Sequence, residues 1–219
     1  MDVLGFSLVP PGATVAEVGA GTGNFLALFE RFAGRLIAVD LTPAMLAQAV
    51  ARHPDMEAVV ADGAAIPLRS RSIDLVCSAQ ALHHIREPVP VLKEMRRVCR
   101  DDGRVLIVDQ VATERAEEAA AMNELDRLRD PSHAGCRPPS AFRIMMTAAG
   151  LEIEDEEIVE SEDRLSHWMR HDEFPEDRVR AVRRFVAERG AETGMRWVRE
   201  EDDWIYTRRR IMLLARRGG

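Results

Sequence analysis

Three glycines at alternate positions, Gly19, Gly21 and Gly23, constrain this chain more than any other feature. A largely apolar segment at 14–18 comes before them, and apolar residues at helical spacing follow within 24–33. This order predicts a buried strand, a tight turn and a helix. Glycine allows positive φ and the close approach of a ligand, and the amides at the start of a helix face that ligand. We therefore expect a small molecule to bind over this loop.

The spacing of the glycines distinguishes between two kinds of ligand. The dinucleotide-binding fingerprint Gly-x-Gly-x-x-Gly needs glycine at the position that Asn24 occupies. Glu17 places a carboxylate at the end of the strand, where it would repel a pyrophosphate. A cationic or hydroxyl-rich ligand therefore fits this loop better, and an NAD(P)-dependent oxidoreductase is the less favoured alternative.

Length and composition indicate a globular protein with one sizeable core. The chain has 219 residues, of which 46% are hydrophobic and 31% are charged, and we expect a single domain over 1–219. Its net charge of −7 argues against general affinity for nucleic acid or for an anionic membrane. Because no apolar run approaches the length of a membrane span, the cytoplasm is the expected location.

Two groups of residues that could suggest other functions have ordinary interpretations. The three cysteines are widely spaced and no Cys-x-x-Cys occurs, so neither a disulfide framework nor a zinc site is expected. Cys77 and Cys99 lie in apolar segments and are predicted to be buried thiols. Arginines cluster at 208–210 and 216–217, but acids at 152–163 accompany them. A solvated charged face is therefore favoured over a nucleic-acid surface.

Strand and helix patterns alternate through the first 109 residues, which predicts a parallel sheet with right-handed crossovers. Predicted strands lie at 14–18, 36–40, 56–60, 73–77 and 105–108. Beyond them the pattern predicts helices at 114–129, 140–149, 161–170 and 176–188, and strands at 151–159 and 204–215. The expected fold is α/β, with seven strands, mainly parallel with one antiparallel, and helices on both faces. Residues 1–112 are expected to bind the cofactor and 113–219 to form the substrate side, with a helical cover over 161–200.

Two acids follow predicted strands at the edge where ligands bind in such sheets. Asp40 ends the second strand, where an acid can accept hydrogen bonds from both hydroxyls of a ribose. Asp62 and Gly63 follow the third strand, where a carboxylate can accept from an adenine amino group. A helix-capping role for Asp40 and a turn role for Asp62 are the alternatives.

Further segments resemble the successive motifs of one enzyme family, the ubiquinone/menaquinone-type (type 11) branch of class I S-adenosyl-L-methionine (SAM)-dependent methyltransferases. They are VDLTPAML (39–46), ADGAAIPL (61–68), SIDLV (72–76), ALHHI (81–85) and RVCRDDG (97–103). Residues 123–125 and 129–133 resemble a segment of a subgroup. The resemblance covers 13–150 and implies a Rossmann-like fold, SAM as cofactor and S-adenosyl-L-homocysteine as product. It also implies a small-molecule acceptor, such as a quinone precursor, a phenol or a polyketide, methylated at oxygen or carbon.

The resemblance further implies a role for each residue of the cofactor site. The glycine loop would cradle the methionine portion of SAM, and Glu17 would lie near its ammonium group. Asp40 would bind the ribose hydroxyls, and Leu41 would pack on the adenine. In chain order the implied cofactor-binding residues are Glu17, Gly19, Ala20, Gly21, Gly23, Asp40, Leu41, Asp62, Gly63, Ser78 and Ala79.

Catalysis needs few residues, because methyl transfer from a sulfonium is an in-line displacement and alignment supplies much of the acceleration. An oxygen acceptor also needs a base, and histidine suits that role near neutral pH. His83, His84 and His133 are the candidates, with Asp130 placed to orient His133. Packing or helix-terminus roles are the alternatives for each histidine. No metal is expected, because adjacent histidines on a loop chelate poorly.

Two departures from the family pattern leave alternatives open. About a dozen residues precede the first motif, whereas family members carry helices there that close over SAM. Such a lid is then missing, comes from a second subunit of a homodimer, or is replaced by residues 161–200. Gln80 stands where a subgroup has a basic residue, and residues 134–136 lack that subgroup's basic continuation. A non-catalytic SAM-binding module is therefore the second hypothesis.

Overall fold

Eight strands form the central sheet of the computed structural model, which describes residues 2–169 and 174–219. In chain order they are β1 (Thr14–Val18), β2 (Arg35–Asp40), β3 (Met56–Val60), β4 (Ile73–Ala79), β5 (Cys99–Gln110), β6 (Leu151–Arg164), β7 (Arg196–Glu200) and β8 (Asp203–Arg217). Across the sheet the order is β3-β2-β1-β4-β5-β8-β6, and β7 pairs with β8. Among the described strands, β8 alone runs in the opposite direction to the others and pairs antiparallel with β5, β6 and β7. The predicted α/β sheet with one antiparallel strand is therefore confirmed.

Helices pack around this sheet. They are α1 (Val3–Ser7), α2 (Pro43–Arg52), α3 (Pro88–Val98), α4 (Ala116–Arg129), α5 (Pro139–Ala148), α6 (Leu165–Trp168) and α7 (Glu176–Arg189). Proline occupies the first turn of α2, α3 and α5, where its missing N–H costs no hydrogen bond. Short 3₁₀ turns lie at Leu26–Phe29, Leu82–His84 and Gly190–Thr193. No helix within the two described ranges is long and apolar enough to cross a membrane.

The parallel strands β1, β2, β4 and the second half of β5 form the buried centre of the sheet, and β3 lies at its edge. β1 pairs with β2 and β4, β2 with β3, and β4 with β5, all in parallel. Along β5, Val105 and Ile107 pack in the cluster that contains α3 and α5, whereas Leu106 and Val108 pack on the opposite face. Because both faces are covered, these strands are apolar along most of their length. Their carboxyl ends meet at one edge, where the candidate site lies.

A third apolar cluster joins α4, α6 and α7 into a layer beside β7 and β8. Leu125 of α4, Leu165 of α6, and Val182 and Phe185 of α7 are buried in this cluster. Burial of each such side chain is worth about 1.5–3 kcal/mol. The layer therefore holds the C-terminal helices against the antiparallel part of the sheet.

The helix predicted over 24–33 is wrong, because only the 3₁₀ turn at Leu26–Phe29 forms there. Leu26 and Phe29 are fully buried, whereas Leu28 and Phe32 are 45% and 44% exposed. The helical spacing of these apolar residues therefore does not correspond to one buried face. The Leu26 amide donates to the buried carboxylate of Glu17 at 3.0 Å, which ties the chain into the tighter turn.

The antiparallel part of the sheet is longer than the sequence pattern predicts. Residues 161–164 continue β6, and 196–200 form the additional strand β7. The sheet therefore has eight strands rather than seven, and within the described residues the predicted cover over 161–200 is α-helical in α6 and α7 alone. Ion pairs tie β6 to β7 across β8: Arg196 binds Glu162, and Arg164 binds Glu200. Charged residues that form pairs across neighbouring strands stabilise such a sheet. They also interrupt the apolar periodicity from which a strand is predicted.

The three cysteines are free and buried, which confirms the prediction for Cys77 and Cys99. Burial raises the pKa of the Cys99 thiol to about 12 and raises the pKa of the Cys77 thiol well above its usual range. Both thiols are therefore protonated at neutral pH and behave as small apolar side chains.

Candidate active site

The glycine loop after β1 has the backbone conformation that its sequence predicts. Gly19, Gly21 and Gly23 have φ values of +76°, +53° and +78°. A Cβ atom added to Gly19 would lie 2.5 Å from the Cβ of Ala81, so this position has no room for a side chain. The Gly19 amide donates to the Val39 carbonyl of β2 at 2.8 Å. The loop is therefore held close over the carboxyl ends of β1 and β2.

Asp40, at the end of β2, fixes both the loop and the start of α2. One carboxylate oxygen accepts from the Gly21 amide and the other from the Thr42 amide, each at 2.8 Å. A carboxylate offers about four acceptor positions. Asp40 therefore still has lone pairs with which to accept hydroxyl protons from a ligand.

Asp62 and Gly63 close the next turn along the same edge. The Asp62 carboxylate accepts from the Ala64 amide at 2.9 Å, which is the turn role that was the alternative for this residue. A Cβ atom on Gly63 would lie 2.9 Å from Cγ1 of Val18. Leu41 is 69% exposed and offers an apolar surface beside these residues. An apolar side chain left exposed at a sheet edge is suited to contact a flat ligand.

A cavity of about 600 Å³, here called the glycine-loop cavity, lies over this edge. Its volume is within the range of small-molecule sites. It includes six of the residues implied to bind SAM: Gly19, Gly21, Asp40, Leu41, Asp62 and Gly63. The remaining residues of its lining are Val18, Val39, Thr42, Met45, Ala61, Gln80, Ala81, His84, Ile85, Val91 and Ser132.

The other implied cofactor residues lie outside the lining of this cavity. They are Glu17, Ala20, Gly23, Ser78 and Ala79. Glu17 is 1% exposed, and burial raises the pKa of its carboxyl well above the usual range. Its contact with the Leu26 amide places it beneath the loop, where it supports the loop from behind. Ser78 is also 1% exposed, and its hydroxyl has no hydrogen-bond partner among the described residues.

A second cavity of about 290 Å³, here called the arginine cavity, adjoins the first. Gln80 and His84 line both cavities. Gln80 has φ of +54°, and its side-chain nitrogen Nε2 is buried without a hydrogen-bond partner among the described residues. The full lining is Gln80, His83, His84, Gln110, Arg129, Asp163, Trp168, Tyr206, Arg208 and Arg210.

His83 is oriented by a buried acid that sequence reasoning missed. Its Nδ1 lies 2.5 Å from Oδ1 of Asp109, which is 1% exposed at the end of β5. The backbone amide of His83 donates to the other oxygen of the same carboxylate at 3.2 Å. This network assigns the proton to Nδ1 and leaves Nε2 as an acceptor, 3.3 Å from the Gln110 amide nitrogen. His83 is therefore held in one tautomer at the wall of the arginine cavity.

His133 and Asp130 do not form the predicted pair. The ring of His133 contacts Asn123, with Nε2 2.8 Å from the amide oxygen, and is only 6% exposed. Asp130 instead accepts from the Ser132 hydroxyl at 2.7 Å, and that hydroxyl lies 3.0 Å from Nδ1 of His84. The expectation that Asp130 orients His133 is therefore wrong. His133 lines neither cavity, because Asn123 holds its ring in the layer below them.

The stability of the protein at acid pH should depend on the protonation of His133. Burial lowers its pKa to about 4, below the value of about 6.5 in an unfolded chain. The unfolded chain then binds the proton more readily, so this contribution to stability is full above pH 6.5 and is lost as the pH falls towards 4. We expect the free energy of unfolding to fall by roughly 2–3 kcal/mol across that range.

Urea unfolding at several pH values would measure this slope in the wild type and in His133→Gln. The variant should lose most of the slope, whereas His167→Gln should keep it because the His167 side chain is 70% exposed. An unchanged slope in His133→Gln would contradict the assignment.

The sequence interpretation is most clearly wrong about the exposure of two arginines of β8. Arg208 and Arg210 were assigned to a solvated face, but Arg208 is 4% exposed and both line the arginine cavity. In the sequence they alternate with Thr207 and Arg209. This period of two is the signal that places both arginines on one face of the strand. Arg129 joins them from the end of α4.

One buried group brings metal-ligating atoms within 4.8 Å of one another: Asp126, His133 and Cys136. Asp126 already accepts from Arg208 at 2.7 Å, and the charge of that guanidinium opposes a cation. Burial raises the pKa of the Cys136 thiol, which disfavours the thiolate that a metal requires. We assign this group a structural role.

Known proteins share this fold and these motifs. The family described as a methyltransferase domain matches residues 16–107. YcgJ of Bacillus subtilis, named an uncharacterised methyltransferase, is 30% identical over 173 residues, 77% of this chain and 68% of that protein. Demethylmenaquinone methyltransferase of Renibacterium salmoninarum is 30% identical over 99 residues, 45% of this chain and 42% of that enzyme. The solved structure of YcgJ from B. subtilis has a TM-score of 0.90 and 22% identity, covering 98% of this chain and 96% of the other.

The sheet order and the glycine loop at its carboxyl edge define a Rossmann-like methyltransferase fold. The chain belongs to the methyltransferase family, in the type 11 branch of the class I SAM-dependent enzymes. The resemblance seen in its motifs is therefore confirmed.

Proposed function

We propose that this SAM-dependent methyltransferase transfers a methyl group to oxygen or carbon of a small molecule held in the arginine cavity. The observation that carries the proposal is the junction of the two cavities, where Gln80 and His84 line both. A donor in one cavity and an acceptor in the other would meet at these residues. Alignment of this kind supplies most of the acceleration of a displacement reaction.

The charges of the glycine-loop cavity favour SAM over a phosphate-containing ligand. Its described lining holds the carboxylates of Asp40 and Asp62 and no arginine or lysine. Acidic walls favour a ligand that carries an ammonium and a sulfonium and disfavour a pyrophosphate. Asp40 has free lone pairs for ribose hydroxyls, and Leu41 and Met45 offer apolar contacts to the adenine. When bound, SAM supplies the reactive methyl group on its sulfonium.

The residues of the arginine cavity supply the remaining functions. Asp109 holds the Nδ1 proton of His83, so Nε2 can accept the proton of an acceptor hydroxyl that displaces its 3.3 Å contact with the Gln110 amide. The unpartnered amide of Gln80 can donate to an oxygen at the junction. His83 is therefore the base that we favour. We assign structural roles to His133 and Asp130, which are also candidates from the sequence.

A binding experiment tests the proposed cofactor, and a turnover experiment tests the reaction. Calorimetric titration should show SAM binding and no NAD binding; NAD binding without SAM binding would overturn the proposal. Methyl-labelled SAM should then transfer label to members of a panel of phenols and quinone precursors. SAM binding without turnover on any acceptor would favour a non-catalytic SAM-binding module. Sedimentation of the same protein would test whether it forms a homodimer, which is one of the alternatives left open by the sequence.

Replacement of His83 should separate catalysis from cofactor binding. We expect His83→Gln to lower kcat on a hydroxyl acceptor by about a hundredfold or more, because the base is lost. SAM affinity should not change, since His83 lies outside the glycine-loop cavity. His133→Gln is the matched control and should keep its rate at neutral pH. A loss of rate in His133→Gln without a loss of folded protein would instead favour His133 as the base.

A further inference from the structure

We propose that the methyl acceptor carries an anionic group, a carboxylate or a phosphate, which binds to Arg129 and Arg210 in the arginine cavity. The inference rests on the proposed methyl transfer, because that function makes this cavity the acceptor site. It narrows the acceptor to a class of small molecules with a negative charge.

Three guanidinium groups converge on the cavity from two elements. Arg208 and Arg210 project from the same face of β8, and Arg129 comes from the end of α4. Among the residues that the structure describes, Asp163 is the one carboxylate in the lining. Three other acids act on these arginines and already have partners. Asp126 binds Arg208, Asp109 binds His83, and Asp130 accepts from the Ser132 hydroxyl. Within the described lining, guanidinium groups therefore outnumber carboxylates by three to one.

Arg129 and Arg210 have neutral hydrogen-bond partners. Nε of Arg129 donates to the Trp168 carbonyl at 3.0 Å, and Nη1 of Arg210 donates to the Ser161 hydroxyl at 2.6 Å. Within the described residues neither forms an ion pair with a carboxylate, although most exposed arginines of this chain do so, such as Arg143 with Glu156. Burial lowers the pKa of both Arg129 and Arg210. Each therefore has donors left for an anionic ligand.

Arg208 provides an independent observation that points to a ligand. It is 4% exposed and its Nη2 donates to Asp126 at 2.7 Å, yet its Nε has no partner among the described residues. Buried donors without an acceptor are rare, because leaving the hydrogen bond of a buried donor unmade costs free energy. Arg208 also lines the arginine cavity, so this unpaired donor is consistent with a ligand there.

The cavity also offers aromatic surface to a ligand. Trp168 and Tyr206 line it with ring centroids 5.6 Å apart, and Arg208 lies over both rings. Guanidinium groups bind carboxylates and phosphates through paired hydrogen bonds. The arginines line only this cavity, whereas Gln80 lies at the junction with the other. The anion would therefore bind away from the junction, with the reacting atom towards it.

Matched probes test this inference directly. We would titrate 4-hydroxybenzoate, 4-hydroxyphenyl phosphate and the neutral 4-hydroxybenzamide into the protein, with and without saturating S-adenosylhomocysteine. At least one anion should bind about tenfold or more tightly than the amide, as expected for charge-assisted hydrogen bonds. Whichever anion binds more tightly identifies the group that the cavity recognises.

Variants assign that binding to the cavity. Arg210→Gln and Arg129→Gln should each weaken the anion about tenfold and leave the amide unchanged. Arg209→Gln removes the same charge from the opposite face of β8 and should have no effect; thermal unfolding would verify that all three fold. Equal binding of anion and amide, failure of both anions to bind, or unchanged affinity in Arg210→Gln would overturn the inference. Failure of S-adenosylhomocysteine to bind would instead overturn the proposed function, because that titration is independent of the arginines.

Discussion

Replacement of Gly19 by alanine is expected to weaken SAM binding at least about a hundredfold, which is about 2.7 kcal/mol. The new Cβ would lie 2.5 Å from the Cβ of Ala81, and that atom cannot rotate away. The φ of +76° costs an L-residue about 1–2 kcal/mol as well. Because Gly19 and Ala81 both line the glycine-loop cavity, any backbone shift that relieves the contact also changes the cavity.

Gly12 offers a matched control for this prediction. Its φ is +79°, but an added Cβ would have nothing within 4 Å. Gly12→Ala therefore has the same backbone cost without the steric contact, and it lies outside the cavity lining. Calorimetry should show wild-type SAM affinity in Gly12→Ala and a loss in Gly19→Ala. Equal affinities in the two variants would contradict our account of the loop.

Of the substitutions that we propose, Asp126→Ala should lower the free energy of unfolding the most, by on the order of 3–5 kcal/mol. It leaves the buried Arg208 without the carboxylate that it contacts at 2.7 Å. Both side chains are 5% exposed, so water cannot replace the lost partner. Urea unfolding would measure the change in the free energy of unfolding.

Two further variants control for this effect. Asp126→Ala combined with Arg208→Met removes both charges and should recover part of the lost stability. Glu124→Ala breaks the exposed pair with Arg189 and should cost at most about 1 kcal/mol. A loss in Asp126→Ala no larger than in Glu124→Ala would show that the buried pair is not the cause.

The fold of the first half of the chain could be predicted from sequence because its signals are local. Strands β1 to β3 are short runs, and a glycine or an acid lies at the end of each or within two residues after it, namely Gly19, Asp40 and Asp62. Asp40 and Gly63 were identifiable from their position after a strand, without knowledge of their contacts. The positions of the Glu17 and Ser78 side chains could not be predicted. Backbone detail decides whether such a side chain faces the ligand or the loop.

The second cavity could not be predicted because its residues are far apart in the chain. Asp109 and His83 are separated by 26 positions, and only the register of β4 and β5 brings them together. Arg208 resembled a surface residue because its partner Asp126 comes from α4, 82 positions away. Charged strands such as β6 and β7 give no apolar periodicity, so their extent also depended on tertiary contacts.

The arginine cavity takes Tyr206, Arg208 and Arg210 from one face of β8, and the glycine-loop cavity takes no residue from that strand. If the arginine cavity holds the acceptor as we propose, acceptor range can diverge through substitutions at alternate positions of a single strand, while the affinity for the methyl donor is inherited unchanged. Relatives with the same glycine loop but different residues at these three positions are then expected to modify different compounds. Exchange of those positions between two such enzymes would be the smallest graft able to transfer specificity.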